Sequence, residues 1–266
     1  LPPGNQDSGT TPPFIDLMKN RGRRNSGTPP LKPEPFRSVT MSLIMLCCVF
    51  FLISLLTTPT VTSIPANLPA TPFISAPLKK QMLYDYPQAY VLTDKLINLF
   101  GAEKLQSPGT LPPEGQYLLR EIQNIPHWEG FYEQIFAHFQ GSTIQQPTAP
   151  LFEKIREGEV WRLFTPALMH TDFLHILFNM LWLLILGKQL EERLSARRYM
   201  LLILIIGIIS NTCQYLMSGS NFMGFSGVVC GMVAFICVRQ KFAPWEGYPL
   251  EQSSSIFVLC FILALL

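Results

Sequence analysis

An all-α, multi-pass membrane bundle is the architecture this sequence predicts, and three observations predict it. The 266 residues are 48% hydrophobic and only 14% charged, with a positive mean hydropathy, a balance too apolar for an ordinary soluble domain. Nearly charge-free runs recur at 38–56, 173–187, 199–217 and 222–238. Each approaches the roughly 20 residues a helix needs to cross hydrocarbon. Basic residues collect in alternate connections between those runs, as one consistent topology requires. Four spans are therefore expected.

Residues 1–37 are rich in Pro, Gly, Ser and Asn. They set Lys19, Arg21, Arg23, Arg24, Lys32 and Arg37 against Asp7, Asp16 and Glu34. Such a stretch buries too little apolar surface to fold and reads as a disordered tail. Its basic excess beside the first span places it on the cytoplasmic side. The run at 38–56 follows n-region charges, so a signal peptide is the alternative to a first transmembrane helix. Its length and the lack of a clear small-residue cleavage site favour a retained span.

Residues 57–158 form a long connection, expected to be extracytoplasmic. It opens Pro/Thr-rich at 57–77 and becomes mixed, with helical patterning around 117–122 and 131–139. Trp128, Phe131, Tyr132, Phe136 and Phe139 fall at helix-like spacing, which predicts short helices packed on the protein or resting at the membrane interface. A self-folding domain is the alternative.

From that start the second span reaches the cytoplasm at 188–198, where Lys188, Arg193, Arg197 and Arg198 outnumber Glu191 and Glu192. The third returns outward to 218–221, and the fourth runs inward toward Arg239 and Lys241. Ser226 then lies near the outer end of the fourth span. A fifth run, 256–266, is wholly apolar but stops at about half the spanning length. The chain also opens on Leu1 rather than Met, so the sequence reads as a fragment.

The six cysteines, Cys47, Cys48, Cys213, Cys230, Cys237 and Cys260, all sit inside apolar runs, as small buried hydrophobes do. No Cys/His spacing suggests a metal site, and no phosphate-binding glycine loop or nucleic-acid motif occurs. No cofactor and no nucleic-acid partner are expected.

Chemistry has to come from polar groups inside the spans. His175 and Asn179 stand one helical turn apart and share a face. Polar groups at that depth are costly and usually turn toward a functional site. The plain alternative is hydrogen bonding across helices for about 0.5–2 kcal/mol. His170 precedes the helix, near the outer surface. Gly224, Gly227, Gly231 and Ala234 form a small-residue stripe for close helix approach, and Ser226 alone could be a hydroxyl bonded back to the preceding turn. Taken together the features say more. A serine attacks a carbonyl only if one group takes its proton and others stabilise the oxyanion. Ser226 and the pair His175 and Asn179 start at the same membrane depth on two separate spans.

In this order, Trp161-Arg162, His170, His175 with Asn179, Glu191 with Arg193, and Gly224-Phe225-Ser226-Gly227 resemble the rhomboid intramembrane serine proteases. ALMHTDFLHILFNMLW is close to bacterial members. A lone GxSG is weak, since soluble hydrolases use it as well; the ordered set within membrane spans is specific. The resemblance covers residues 159–266, a partial protease core of spans two to four and the start of a fifth. It implies that Ser226 is the nucleophile, that His175 and Asn179 line the oxyanion hole with the Ser226 amide, and that His170 lies near a water-filled opening. Gly224 and Gly227 would flank the site. Trp161 and Arg162 would belong to a first loop that shapes the fold, and Glu191 and Arg193 would form a structural ion pair. Substrates would be single-span membrane proteins in the lipid bilayer, cut near the outer face, with no metal or cofactor.

One departure stands out. The family's general base is a histidine on a sixth span, and the histidines here are His127, His138, His170 and His175, none after Ser226. The glycine stripe is expected to receive a helix beyond Leu266 that carries the base, so the chain as given is expected to be inactive. A second hypothesis is a proteolytically inactive rhomboid-like protein that binds client helices. A channel or transporter is a third, but acidic residues inside spans and paired broken helices do not occur. Closeness to bacterial members and the lack of an obvious organelle presequence point to a bacterial inner membrane.

Overall fold

The structure is a computed structural model and describes residues 38–57, 77–101, 104, 108–139 and 149–250. The expected tail at 1–37, most of the Pro/Thr-rich stretch, and the fifth apolar run with Cys260 lie outside the described residues. Among the described residues the chain is all helical. The helices are α1 (Val39–Thr57), α2 (Pro77–Met82), α3 (Gln88–Phe100), α4 (Pro113–Asn124), α5 (Phe131–Phe139), α6 (Glu153–Arg156), α7 (Phe173–Glu191), α8 (Ala196–Ser218) and α9 (Ser226–Phe242). Two short 3-10 turns, Val160–Leu163 and Thr165–Leu168, precede α7.

Three of these helices, α1, α7 and α8, are long and apolar enough to cross a membrane. The fourth expected span differs. Residues 221–225 are irregular, and α9 begins only at Ser226 and runs for 17 residues. The reason is local: Gly224 adopts φ +132°, a conformation an L side chain rarely takes, so no helix passes through it.

Close packing of α1 on α7 follows from one glycine. A Cβ on Gly187 would lie 2.5 Å from the Thr40 hydroxyl and 2.7 Å from the Tyr199 hydroxyl, which bond each other at 3.1 Å. Glu191 ends α7 by accepting from the Ser38 hydroxyl (2.7 Å) and the Thr40 amide (3.0 Å). It thereby satisfies donors that the start of α1 would otherwise leave bare. The expected ion pair between Glu191 and Arg193 does not form. Arg193 instead donates to the carbonyls of Gln189, Glu246 and Gly247 and meets Glu192 at 3.2 Å. Glu191 faces back along α1, while Arg193 faces the turn after α9.

A second correction concerns the glycine stripe. Gly227 and Gly231 face α8, where added Cβ atoms would collide with Ser210 and Ile206, while Ala234 is exposed. The helix these glycines admit is the third span, because α8 and α9 cross at that level. Between α7, α8 and α9 lies the main core, with Leu183, Leu186, Ile203, Phe225, Val229, Met232 and Ile236 at most 2% exposed.

The long connection is anchored to the bundle. Helices α3 and α4 form a hairpin around Leu96, Ile97, Leu111, Leu118 and Ile122. The patterning at 117–122 and 131–139 coincides with α4 and α5. α3 went unread because its apolar positions close on α4 rather than on a run of their own. Next to the hairpin, the Trp128 indole N–H donates to the Tyr215 carbonyl (2.8 Å), and Tyr84 stacks on Tyr215 at 4.7 Å and bonds Thr212 at 2.8 Å. Asp85, 2% exposed, accepts from the Tyr86, Glu153 and Lys154 amides and from the Tyr215 hydroxyl, all within 3.1 Å. α5 buries none of its residues and leaves Tyr132, Ile135, Phe136 and Phe139 exposed.

Candidate active site

Site geometry begins with the entry to α7. Asp172 caps it, its Oδ1 accepting from the His175 amide at 2.9 Å, and that bond holds the Asp172 carboxyl below its ordinary range. Thr171 donates to Asp172 Oδ2 at 2.8 Å and lies 3.1 Å from His175 Nδ1. A hydroxyl has one proton. While Asp172 takes it, His175 must donate from Nδ1 and keep Nε2 bare; once Thr171 turns its proton to Nδ1, Nε2 becomes the donor. The orientation of one exposed hydroxyl therefore goes with the ring's tautomer, and passing from one to the other takes a proton off Nδ1 and puts one on Nε2 by exchange with water.

That far side faces Gly224. A Cβ on Gly224 would stand 2.6 Å from His175 Nε2 and 2.7 Å from Cε1, so only glycine lets the two approach. The Gly224 amide donates to the Pro166 carbonyl at 3.0 Å, pinning the segment that leads into Ser226 against the second 3-10 turn. Ser226 opens α9, half-buried. Its amide lies in the first turn of a helix, where backbone donors lack intrahelical partners. Asn179 is 5% exposed one turn below His175, and its amide donates to the His175 carbonyl at 2.8 Å.

The structure thus brings His175, Gly224 and the Ser226 turn together, with Asn179 on the buried side of the same helix. It draws no hydrogen bond between Ser226 and either His175 or Asn179 among the described residues. Gly227 sits behind Ser226 against Ser210. Arg162 is buried and fastened to Glu159 (2.6 Å) and the Leu83 carbonyl (2.7 Å), and the Trp161 indole donates to the Gln81 carbonyl at 3.1 Å. Both tie the turns before α7 to the long connection.

His170 departs from the expected opening. It is 1% exposed, its ring stands edge-on to His175 at 5.2 Å, and neither ring nitrogen has a hydrogen-bond partner among the described residues. Burial, with His175 adding to it, pushes its pKa from 6.5 down to about 3. The ring sits between the 3-10 turn Thr165–Leu168, itself buried at Pro166, Ala167 and Leu168, and the start of α7. Its native pKa is depressed, so below pH 6.5 the unfolded chain binds a proton that the native ring refuses. Stability from this group is whole above about pH 6.5 and falls toward pH 3 at up to about 1.4 kcal/mol per pH unit. Thermal unfolding of the chain and of His170→Gln in detergent between pH 7 and pH 4 checks this: the variant loses that slope.

Gly224→Ala adds backbone strain to a clash with an imidazole. Unfolding free energy is expected to fall by about 1–3 kcal/mol. Gly158→Ala, at φ +101° with open space around it, gives the strain alone and a smaller fall. Melting of the two variants side by side separates these causes.

The missed features were nonlocal: no sequence spacing announced that Gly224 makes room for His175, or that Pro166 holds the turn. Residues 157–266, which include α7, α8, α9, Pro166, His175 and Gly224, match the family model described as Rhomboid domain.

Proposed function

From the premise that this chain is a rhomboid family member, shown over residues 157–266, we propose that it is an intramembrane serine endopeptidase with Ser226 as nucleophile. The family is one of intramembrane serine proteases acting on membrane-protein substrates, and the chain is an integral membrane protein. The finer reading is that single-span proteins are cut near the outer membrane face by a chain resident in a bacterial inner membrane. One observation carries it: the His175 ring is fitted against Gly224, two residues before the serine that opens α9.

In this reading the Ser226 amide, His175 Nε2 and the Asn179 carboxamide receive the oxyanion that forms when Ser226 Oγ attacks the scissile carbonyl. The Asn179 amide has a second proton beyond the one it gives to the His175 carbonyl. A Thr171 hydroxyl that donates to Nδ1 favours the neutral tautomer whose proton sits on Nε2. A neutral histidine takes the Ser226 proton, an acyl-enzyme forms, and water hydrolyses it. The base is none of the described histidines. His127 is engaged with Glu129 at 3.1 Å, His138 is exposed on α5, His170 is enclosed, and His175 serves the oxyanion.

That same lack of a described histidine on Ser226 favours a second reading, an inactive family member that binds client helices. A fluorophosphonate, which modifies only an activated serine, separates the two when applied to the gene product in native membranes. Mass-spectrometric recovery of the adduct on Ser226, with loss of cleavage of a fluorescent single-span substrate, supports the protease. An unmodified Ser226 in a folded chain that retains client helices supports the binder.

A further inference from the structure

One face of the bundle has no part in this chemistry. Where α1 and α8 run side by side they leave a cavity of about 400 Å³, within the size range of small-molecule pockets. Ser42, Leu43 and Leu46 line it from α1, Met200 and Leu204 from α8, and Phe164 from the turns before α7. The wall is hydrocarbon apart from the Ser42 hydroxyl, which is already bonded to the Ser38 carbonyl at 3.0 Å.

Its two ends differ. The Phe164 ring lies against Gly207, where a Cβ would come within 2.5 Å of it, and marks the mid-membrane end. At the other end, Arg197 stands one turn before Met200 on the helix stripe that continues to Leu204. Arg197 and its neighbour Arg198 are exposed and have no ion-pair partner among the described residues. From Arg197 to Gly207 the helix rises about 15 Å. That is half of the roughly 30 Å hydrocarbon core, the depth of one leaflet.

We propose that this groove is a binding site for one anionic phospholipid, an acyl chain lying between α1 and α8 and the phosphate meeting Arg197 and Arg198. Leaflet-deep apolar length and unneutralised cations at the headgroup level are the two halves of such a ligand, and basic rims between spanning helices hold acidic headgroups. A second copy of the chain fits the face less well. In the same membrane it would bring the same arginines to the same level, and like charges oppose that pairing. The site is independent of the protease reading, since neither Ser226 nor His175 is among the residues that line it.

The test uses the full chain in vesicles with phosphatidylglycerol carrying a photoactivatable diazirine on its acyl chain. Adducts are expected on peptides containing Leu43 and Leu46 or Met200 and Leu204, with yields falling about fivefold for each of Arg197→Gln and Arg198→Gln. Leu43→Trp, which fills the groove, should remove those adducts and leave labelling elsewhere on the lipid-facing surface unchanged. Equal labelling by the phosphatidylcholine analogue, or labelling indifferent to the arginines, would reduce the groove to ordinary lipid contact and overturn the proposal. So would labelling that falls as protein density in the vesicle rises, which would put a second copy there.

Discussion

In the full-length gene product, Ser226→Ala is expected to reduce cleavage of a single-span substrate by at least about 10³-fold in kcat while leaving the fold unharmed. The two halves of this result have separate physical causes. In the proposed mechanism, removing Oγ deletes the atom that would form the acyl bond, and the oxyanion donors that remain would have no tetrahedral intermediate to stabilise. Stability holds because the Ser226 hydroxyl makes no hydrogen bond among the described residues and occupies the first position of α9, where alanine is no worse a helix former. A serine kept only to bond its own helix would show the reverse, with activity intact and stability lower. Cleavage assays with purified enzyme, paired with melting curves in detergent, read both quantities. Equal cleavage by the variant would place the nucleophile elsewhere.

The largest loss of stability is expected at Asp85→Ala, about 3–5 kcal/mol, although this residue lies in the long connection and far from Ser226 in sequence. Its carboxylate receives the Glu153 and Lys154 amides that open α6, together with the Tyr215 hydroxyl at 3.0 Å and its neighbour's amide. Alanine leaves those donors buried without partners. The same Tyr215 hydroxyl accepts from the amide of Phe152 at 3.2 Å, and Phe152 is held at φ +58°, the one left-handed non-glycine among the described residues. Loss of the carboxylate therefore also releases a strained backbone. Asp85→Asn keeps the shape but replaces one of the two oxygens, and with it the acceptor of two of the four donors, by an amide N–H, so it should cost about 2–3 kcal/mol, still less than alanine. Thermal unfolding ranks the three chains, and protease nicking within 77–139 should rise in the same order.

These expectations show which parts of the molecule were legible in its sequence. Hydropathy located α1, α7 and α8 because bilayer thickness sets a length that composition reveals directly. Helical spacing placed His175 and Asn179 on one side of α7. Partners of each group were not legible, since they depend on which helices meet. The small residues from Gly227 to Gly231 announced a close neighbour without saying that it was α8. Glu191 and Arg193 were near in sequence and opposite in sign, yet each found backbone donors or carbonyls on another element. The long connection was harder still. Its buried acid Asp85 bonds residues about 68 and 130 positions away, separations that no local pattern encodes.

The brevity of α9 has its own consequence. Seventeen residues rise about 25 Å, a few ångströms less than typical hydrocarbon is thick. The surrounding lipid must pinch in, or the serine end stays recessed beneath the outer boundary, each at a modest energetic cost per ångström. If the proposed mechanism holds, host-membrane thickness sets how far water travels to reach the hydroxyl, and hydrolysis by the full-length gene product should slow as lipid tails lengthen even though no residue has changed.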